Sequence, residues 1–292
     1  MGHCLRSVAI LAASLFAFCS ISASADDGET VLKARTPWNV DYGEERCRLA
    51  GIFEDGDRKA VLLIDQWWPG DTFNLTVAST ELADTRRLRK AEISLFDEHQ
   101  PIEVQPGSVD VEGYGRGVIL TNFSFEPDDE DTHTPHTFRQ IETESAAKAK
   151  YLKVDAGRRT LKLDTGPMSD ALKVLNACSN ERLKSFGVDA EKHLTMQRMP
   201  VLKKEKQTVQ RIQNEYPWKA LQRAESAVVN LRINVDENGQ PGDCHIYEAT
   251  AAEVLESPAC RIFGTASFEP ALDAEGRPMK SYYTTGITYQ VR

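Results

Sequence analysis

The chain has 292 residues, 41% of them apolar and 27% charged, and carries a net charge of −9. This composition excludes a disordered chain and leaves room for one large domain or two ordinary ones. It also excludes a phosphate-backbone binder, which needs clustered Lys and Arg, so no nucleic-acid partner is expected.

The N-terminus reads as a targeting segment. Arg6 supplies a positive start, Val8 to Phe18 an apolar run, and Ala23-Ser24-Ala25 a small-residue cleavage site ahead of Asp26. The run falls short of the ~20 apolar residues of a membrane-spanning helix. Residues 1–25 are therefore expected to be a cleavable signal peptide, which predicts a periplasmic protein. Membrane association follows only if the segment stays uncleaved. Lipidation at Cys19 is disfavoured by the bulky Phe18 before it. Past the signal four cysteines remain, Cys47, Cys178, Cys244 and Cys260. An even number suits an oxidising compartment, and four allow three pairings. None is spaced as a Cys-x-x-Cys pair, so no redox or zinc motif is present.

Residues 26–36 read as a polar leader. From residue 37 the pattern is β-rich: Arg46–Phe53, Ala60–Asp65, Thr72–Ala78, Ala91–Phe96 and Gly117–Phe123 are the candidate strands. Trp67 and Trp68, beside Val61–Ile64, are expected to cap a core and not to stand as an exposed contact. Residues 126–136 form an acidic, proline-containing loop. A helix is predicted over 140–150, a hairpin over 151–163, and a helix over 169–183 with Leu172, Leu175 and Cys178 on one face. Residues 195–212 have few large apolar side chains and read as a linker that lets two domains move independently.

The C-terminal stretch has the clearest pattern. Val229, Leu231, Ile233 and Val235 alternate with Asn230, Arg232 and Asn234, which predicts a strand with one buried and one wet face. Asn238-Gly239 suits a tight hairpin turn, and Asp243–Ala249 returns as the second strand. Ser257-Pro258 starts a helix that Gly264 ends. Tyr282–Val291 is a last strand. The fold class is α+β: a β-rich domain over 37–194 with one or two helices, then a small domain over 213–292 with a three-stranded antiparallel sheet and helices on one face.

Six pieces of the last ~80 residues stand in one order. They are Tyr216-Pro217 with Ala220-Leu221, the strand Ala227–Val235, the turn Asp236-Glu-Asn-Gly239, the helix Leu255–Phe263, Phe268-Glu-Pro-Ala271, and Glu275-Gly-Arg-Pro278. Together they resemble the C-terminal domain of the TonB energy-transducer family. The resemblance fails at Glu248-Ala-Thr250, where the family carries Ser-Ser-Gly. It implies a peptide-binding module and no enzyme. It also implies pairing within domains, Cys47–Cys178 and Cys244–Cys260, the second adding ~3 kcal/mol to a small domain. The contacts it implies are Gln213, Tyr216, Tyr283, Thr285, Ile287 and Tyr289, with an extended peptide joining the last strand edge. An outer-membrane transporter or another envelope protein is the expected partner, and edge swapping offers a homodimer. Residues 37–195 resemble the leader domain found before this module in some alphaproteobacterial envelope proteins, which brings no activity with it.

A full energy transducer needs an N-terminal anchor and a long Pro-rich spacer, and the 13 prolines here are scattered. A membrane-anchored transducer is thus the second reading. A third is an aspartic-protease-like hydrolase using Asp164 of Asp164-Thr-Gly166; those enzymes need two such aspartates, and a strand-to-helix turn explains this single copy. His133 and His136 among acidic neighbours could ligate a metal but read as a solvated loop. No metal and no cofactor are implied.

Overall fold

The computed structural model describes residues 28–82, 90–95, 100–104, 106–125, 138–157, 159–215, 217–222, 227–248 and 258–289. Residues 1–25, expected to be a signal peptide, and residues 126–136, expected to be an acidic loop with His133 and His136, lie outside these residues.

The N-terminal part is a large curled sheet. Its strands are β1 (Glu29–Ala34), β2 (Asn39–Tyr42), β3 (Cys47–Asp55), β4 (Arg58–Gln66), β5 (Phe73–Ser79), β6 (Ala91–Ser94), β7 (Ile102–Val104), β8 (Pro106–Val111) and β9 (Gly115–Phe123). Helix α1 (Thr143–Lys148), strands β10 (Tyr151–Ala156) and β11 (Arg159–Asp164), and helix α2 (Ser169–Glu181) follow. The strand order is β7-β6-β10-β11-β1-β3-β4-β5-β9-β8, with β2 added beside β3. The two ends of this order, β7 and β8, are separated by residue 105 alone. One residue bridges only a few ångströms, so the sheet must curl until its ends meet. Its inward side chains then form one core, including Leu49, Phe53, Leu62, Leu75 and Leu163, closed by Leu172 and Leu175 of α2. Strand β3 shows the expected alternation, with Cys47, Leu49 and Phe53 buried. The buried bridge Cys47–Cys178 ties β3 to α2 across 131 residues of chain.

Residues 29–34, part of the expected polar leader over 26–36, form a strand. Strand β1 runs parallel to β11 over Glu29–Lys33 and meets β3 at Lys33 and Ala34, with Leu32 fully buried. A strand held on both sides by backbone ladders needs only one large apolar residue facing inward, so its sequence reads as polar.

The segment expected as a linker also differs. After α3 (Ala190–Leu194) comes β12 (Val201–Leu202), then α4 (Glu205–Asn214) and α5 (Trp218–Gln222). The small domain then adds β13 (Ala227–Val235), β14 (Pro241–Glu248), α6 (Ala259–Phe263), β15 (Phe268–Glu269), β16 (Ala271–Leu272), β17 (Pro278–Met279) and β18 (Ser281–Tyr289). Strand β12 pairs with β15, and Gln197 N–H donates to Leu272 O at 2.9 Å. Leu202 and Ile212 enter the small domain's core. Residues 197–212 are thus part of that domain. A two-residue strand and a helix with one buried stripe carry too little apolar content to stand out from a linker.

The small domain's sheet has the order β14-β13-β18 and is antiparallel throughout. Val229, Leu231, Ile233 and Val235 pack against Ile212, Ile262 and Phe263 of the helices on one face. The β13–β14 turn is closed by Gly239 at φ 77°, where an added Cβ would sit 2.2 Å from Phe268 O. Cys244 on β14 is bonded to Cys260 on α6.

Leu32→Ala should lower the unfolding free energy by about 2–5 kcal/mol, the usual cost of emptying a buried leucine site. Urea unfolding measures it; a loss below about 0.5 kcal/mol is what a surface leader residue would give.

Candidate functional site

Strand β18 pairs with β13 from Ser281 opposite Val235 to Tyr289 opposite Ala227. Among the described residues no strand pairs with its other side. Alternate residues of β18 therefore turn their N–H and C=O groups away from β13, toward a side that no strand occupies among the described residues.

Register decides where the side chains go. Tyr283, Ile287 and Tyr289 turn to the helical face and join its core. The Tyr283 ring lies 5.3 Å from Phe268 and 5.9 Å from Phe263. Burial, with the charge of Glu205, pushes its hydroxyl pKa up to about 12. Thr285, on that face, is half-buried. Gln213 is exposed on α4, and Tyr216 lies outside the described residues. The side chains of Tyr283, Ile287 and Tyr289 are thus held by their own domain, and what β18 offers outward is chiefly main chain.

The opposite face of the sheet overturns the wet-face expectation. Asn230 and Arg232 are 1% and 4% exposed. They are covered by the N-terminal domain along a seam of rings and cations. Trp67 packs on Tyr247 of β14 at 5.7 Å, and Arg46 stacks on Trp67 at 5.1 Å. The Arg232 guanidinium sits 4.0 Å over Phe186, and its Nε donates to the Tyr247 hydroxyl at 3.2 Å. Arg182, 5.4 Å from the same ring, donates to Trp67 O and Glu44 O. Burial, with repulsion from Arg232 adding to it, lowers the Arg182 pKa. Among the described residues neither arginine has a carboxylate partner within ion-pair distance.

The seam continues through Tyr282, whose ring meets Phe186 edge-on at 5.3 Å and whose hydroxyl donates to Pro69 O at 3.3 Å. His193 stacks on Tyr282 at 4.8 Å, meets Phe138 edge-on at 4.8 Å, and places Nδ1 3.3 Å from Ser281 Oγ. His193 is fully buried, and burial lowers its pKa to about 4. Trp67 and Trp68 thus do cap a core, but one shared between the two domains. The two domains, expected to move independently, are packed together along this seam.

Asp164 is exposed at the end of β11, and Thr165-Gly166 forms the turn into α2 with Gly166 at φ 61°. Among the described residues there is no group of three or more His, Cys, Asp or Glu able to hold a metal, and no helix long and apolar enough to cross a membrane.

A three-stranded antiparallel sheet, helices on one face and a long edge strand define a small α+β module. Residues 212–291 match the family described as the Gram-negative bacterial TonB protein C-terminal, so the small domain is similar to the domain of that family. The residues before it fall outside that match. No curated protein and no solved structure matches the chain.

His193 gives the seam a pH dependence whose sign is fixed. Its pKa is about 4 in the folded protein and 6.5 when free. As pH falls through 6.5 the unfolded chain takes the proton first, so stability drops down to about pH 4 and then levels. The His193 share of that loss is about 3 kcal/mol. Urea unfolding at pH 7 and pH 4 should show it, and His193→Gln should remove that share of the difference.

Proposed function

We propose that this is a periplasmic TonB-like envelope protein that captures an extended segment of another envelope protein by strand addition to β18. It acts as a binding protein and not as an enzyme. The observation that carries this reading is the nine-residue edge of β18, paired on one side only among the described residues. Each residue of an added strand offers main-chain hydrogen bonds on alternate sides, so affinity comes from backbone and is tolerant of sequence. The signal features of residues 1–25 and two disulfides favour an exported protein. Likeness of the small domain to the TonB C-terminal family favours an outer-membrane transporter as the source of the peptide. Tyr283, Thr285, Ile287 and Tyr289 then shape the edge from behind, while Gln213 and Tyr216 contact the partner.

The test uses the full mature chain and peptides from periplasm-facing segments of outer-membrane transporters. A binding peptide is resynthesised with single N-methyl groups along its length. Strand addition predicts alternation: methylation at every second residue weakens binding at least tenfold, and at the intervening residues changes it little. Uniform sensitivity, or none, rejects strand addition.

A further inference from the structure

Gly286 lies at the middle of β18, opposite Asn230, on the face turned to the N-terminal domain. It has no side chain because another residue fills the space. A Cβ added there would stand 2.8 Å from Asn122 Nδ2 and 3.4 Å from its Oδ1. Asn122, on β9, therefore lays its carboxamide directly over the centre of the open edge strand.

Three features set Asn122 apart from ordinary surface. Its backbone is left-handed, at φ 53°, a region costly for a residue with a side chain. Its N–H is held by Asn74 Oδ1 at 3.1 Å, from the neighbouring strand β5. Its own carboxamide is exposed and makes no hydrogen bond to a described residue. Behind it, Asn74 and Asn230 are 3% and 1% exposed, and the Nδ2 of each is buried with no acceptor. Accepting the Asn122 N–H fixes which end of Asn74 is oxygen, so its unpaired atom is a donor. A buried donor without a partner costs about 1–3 kcal/mol. Asn122, Asn74 bonded to it, and Asn230 opposite Gly286 thus border the same stretch of β18, and two of their donors are unpaired.

In an antiparallel pair, directly opposed residues send their side chains to the same face, with Cβ atoms about 4.5–5.5 Å apart. A peptide residue opposite Gly286 would meet no side chain on β18 and would meet Asn122 instead. We infer that the N-terminal domain supplies a specificity pocket to the edge site. Asn122, positioned by Asn74 and flanked by Asn230, recognises a carbonyl-type acceptor, carboxamide or carboxylate, on the partner residue opposite Gly286. The inference rests on the strand-addition reading, and it gives the N-terminal domain a part in partner choice.

The experiment measures affinity of the full chain, by fluorescence anisotropy, for the peptide defined by the N-methyl series. Asn122→Gly removes the carboxamide and relieves the left-handed backbone, so the fold is kept. It should weaken binding about tenfold for a peptide with Gln or Glu opposite Gly286, and leave unchanged a peptide with Ala there. Asn122→Asp separates the two acceptors: a Glu-bearing peptide loses affinity by repulsion, and a Gln-bearing one retains more. Equal affinity of wild type and Asn122→Gly for every peptide, with methyl alternation intact, overturns the pocket and leaves the edge reading standing. Loss of alternation overturns both.

Discussion

A guanidinium placed over a phenyl ring governs how the two halves of this protein relate. Arg232 belongs to the small domain's central strand and Phe186 to the segment after α2, 4.0 Å apart. Among the described residues the charge is met by a ring face, a phenol and an amide, with no carboxylate. Such a contact gains strength while water is kept out, since a cation–π pair strengthens when desolvated. Trp67, Trp68, Tyr247, Tyr282 and Leu183 provide that exclusion. Separating the domains would expose all of these rings at once, so the seam behaves as a core shared by two modules.

That seam also decides which surfaces of the TonB-like sheet remain for a partner. One face is taken by the domain's own helices and the other by the N-terminal domain. The strand edges are what is left, and β18 has the longer run of main chain. A binding surface made of backbone has little side-chain signature of its own. In the proposed strand addition, selectivity comes from whatever borders the edge, and the N-terminal domain borders it through Asn122.

The two disulfides serve different ends of this arrangement. Cys47–Cys178 is fully buried and joins strands formed early in the chain to a helix far along it, where loop closure in the unfolded state is most costly. Cys244–Cys260 clamps β14 to α6 within a domain whose core is small. The curled sheet rests on long-range pairing of the same kind: β1 lies between β11 and β3, so the start of the chain is locked in only after residues 159–164 exist.

By itself the sequence determined what local pattern can encode. Period-two alternation over Val229–Val235, the Asn238-Gly239 turn, the Leu172–Leu175–Cys178 stripe and the ordered motifs of the small domain all arise from neighbouring residues, and the last of these carry the likeness to the TonB C-terminal family. The tertiary structure alone decided three things. It made β1 a central strand, because backbone ladders need no apolar signature. It folded residues 197–212 into the small domain, because two buried side chains suffice there. It buried Asn230 and Arg232, because a polar face reads as wet until a second surface with rings and acceptors is brought against it. Asn122 was silent for the same reason: its meaning lies in Gly286, 164 positions away in a chain of 292 residues, and only the closed seam brings the two together.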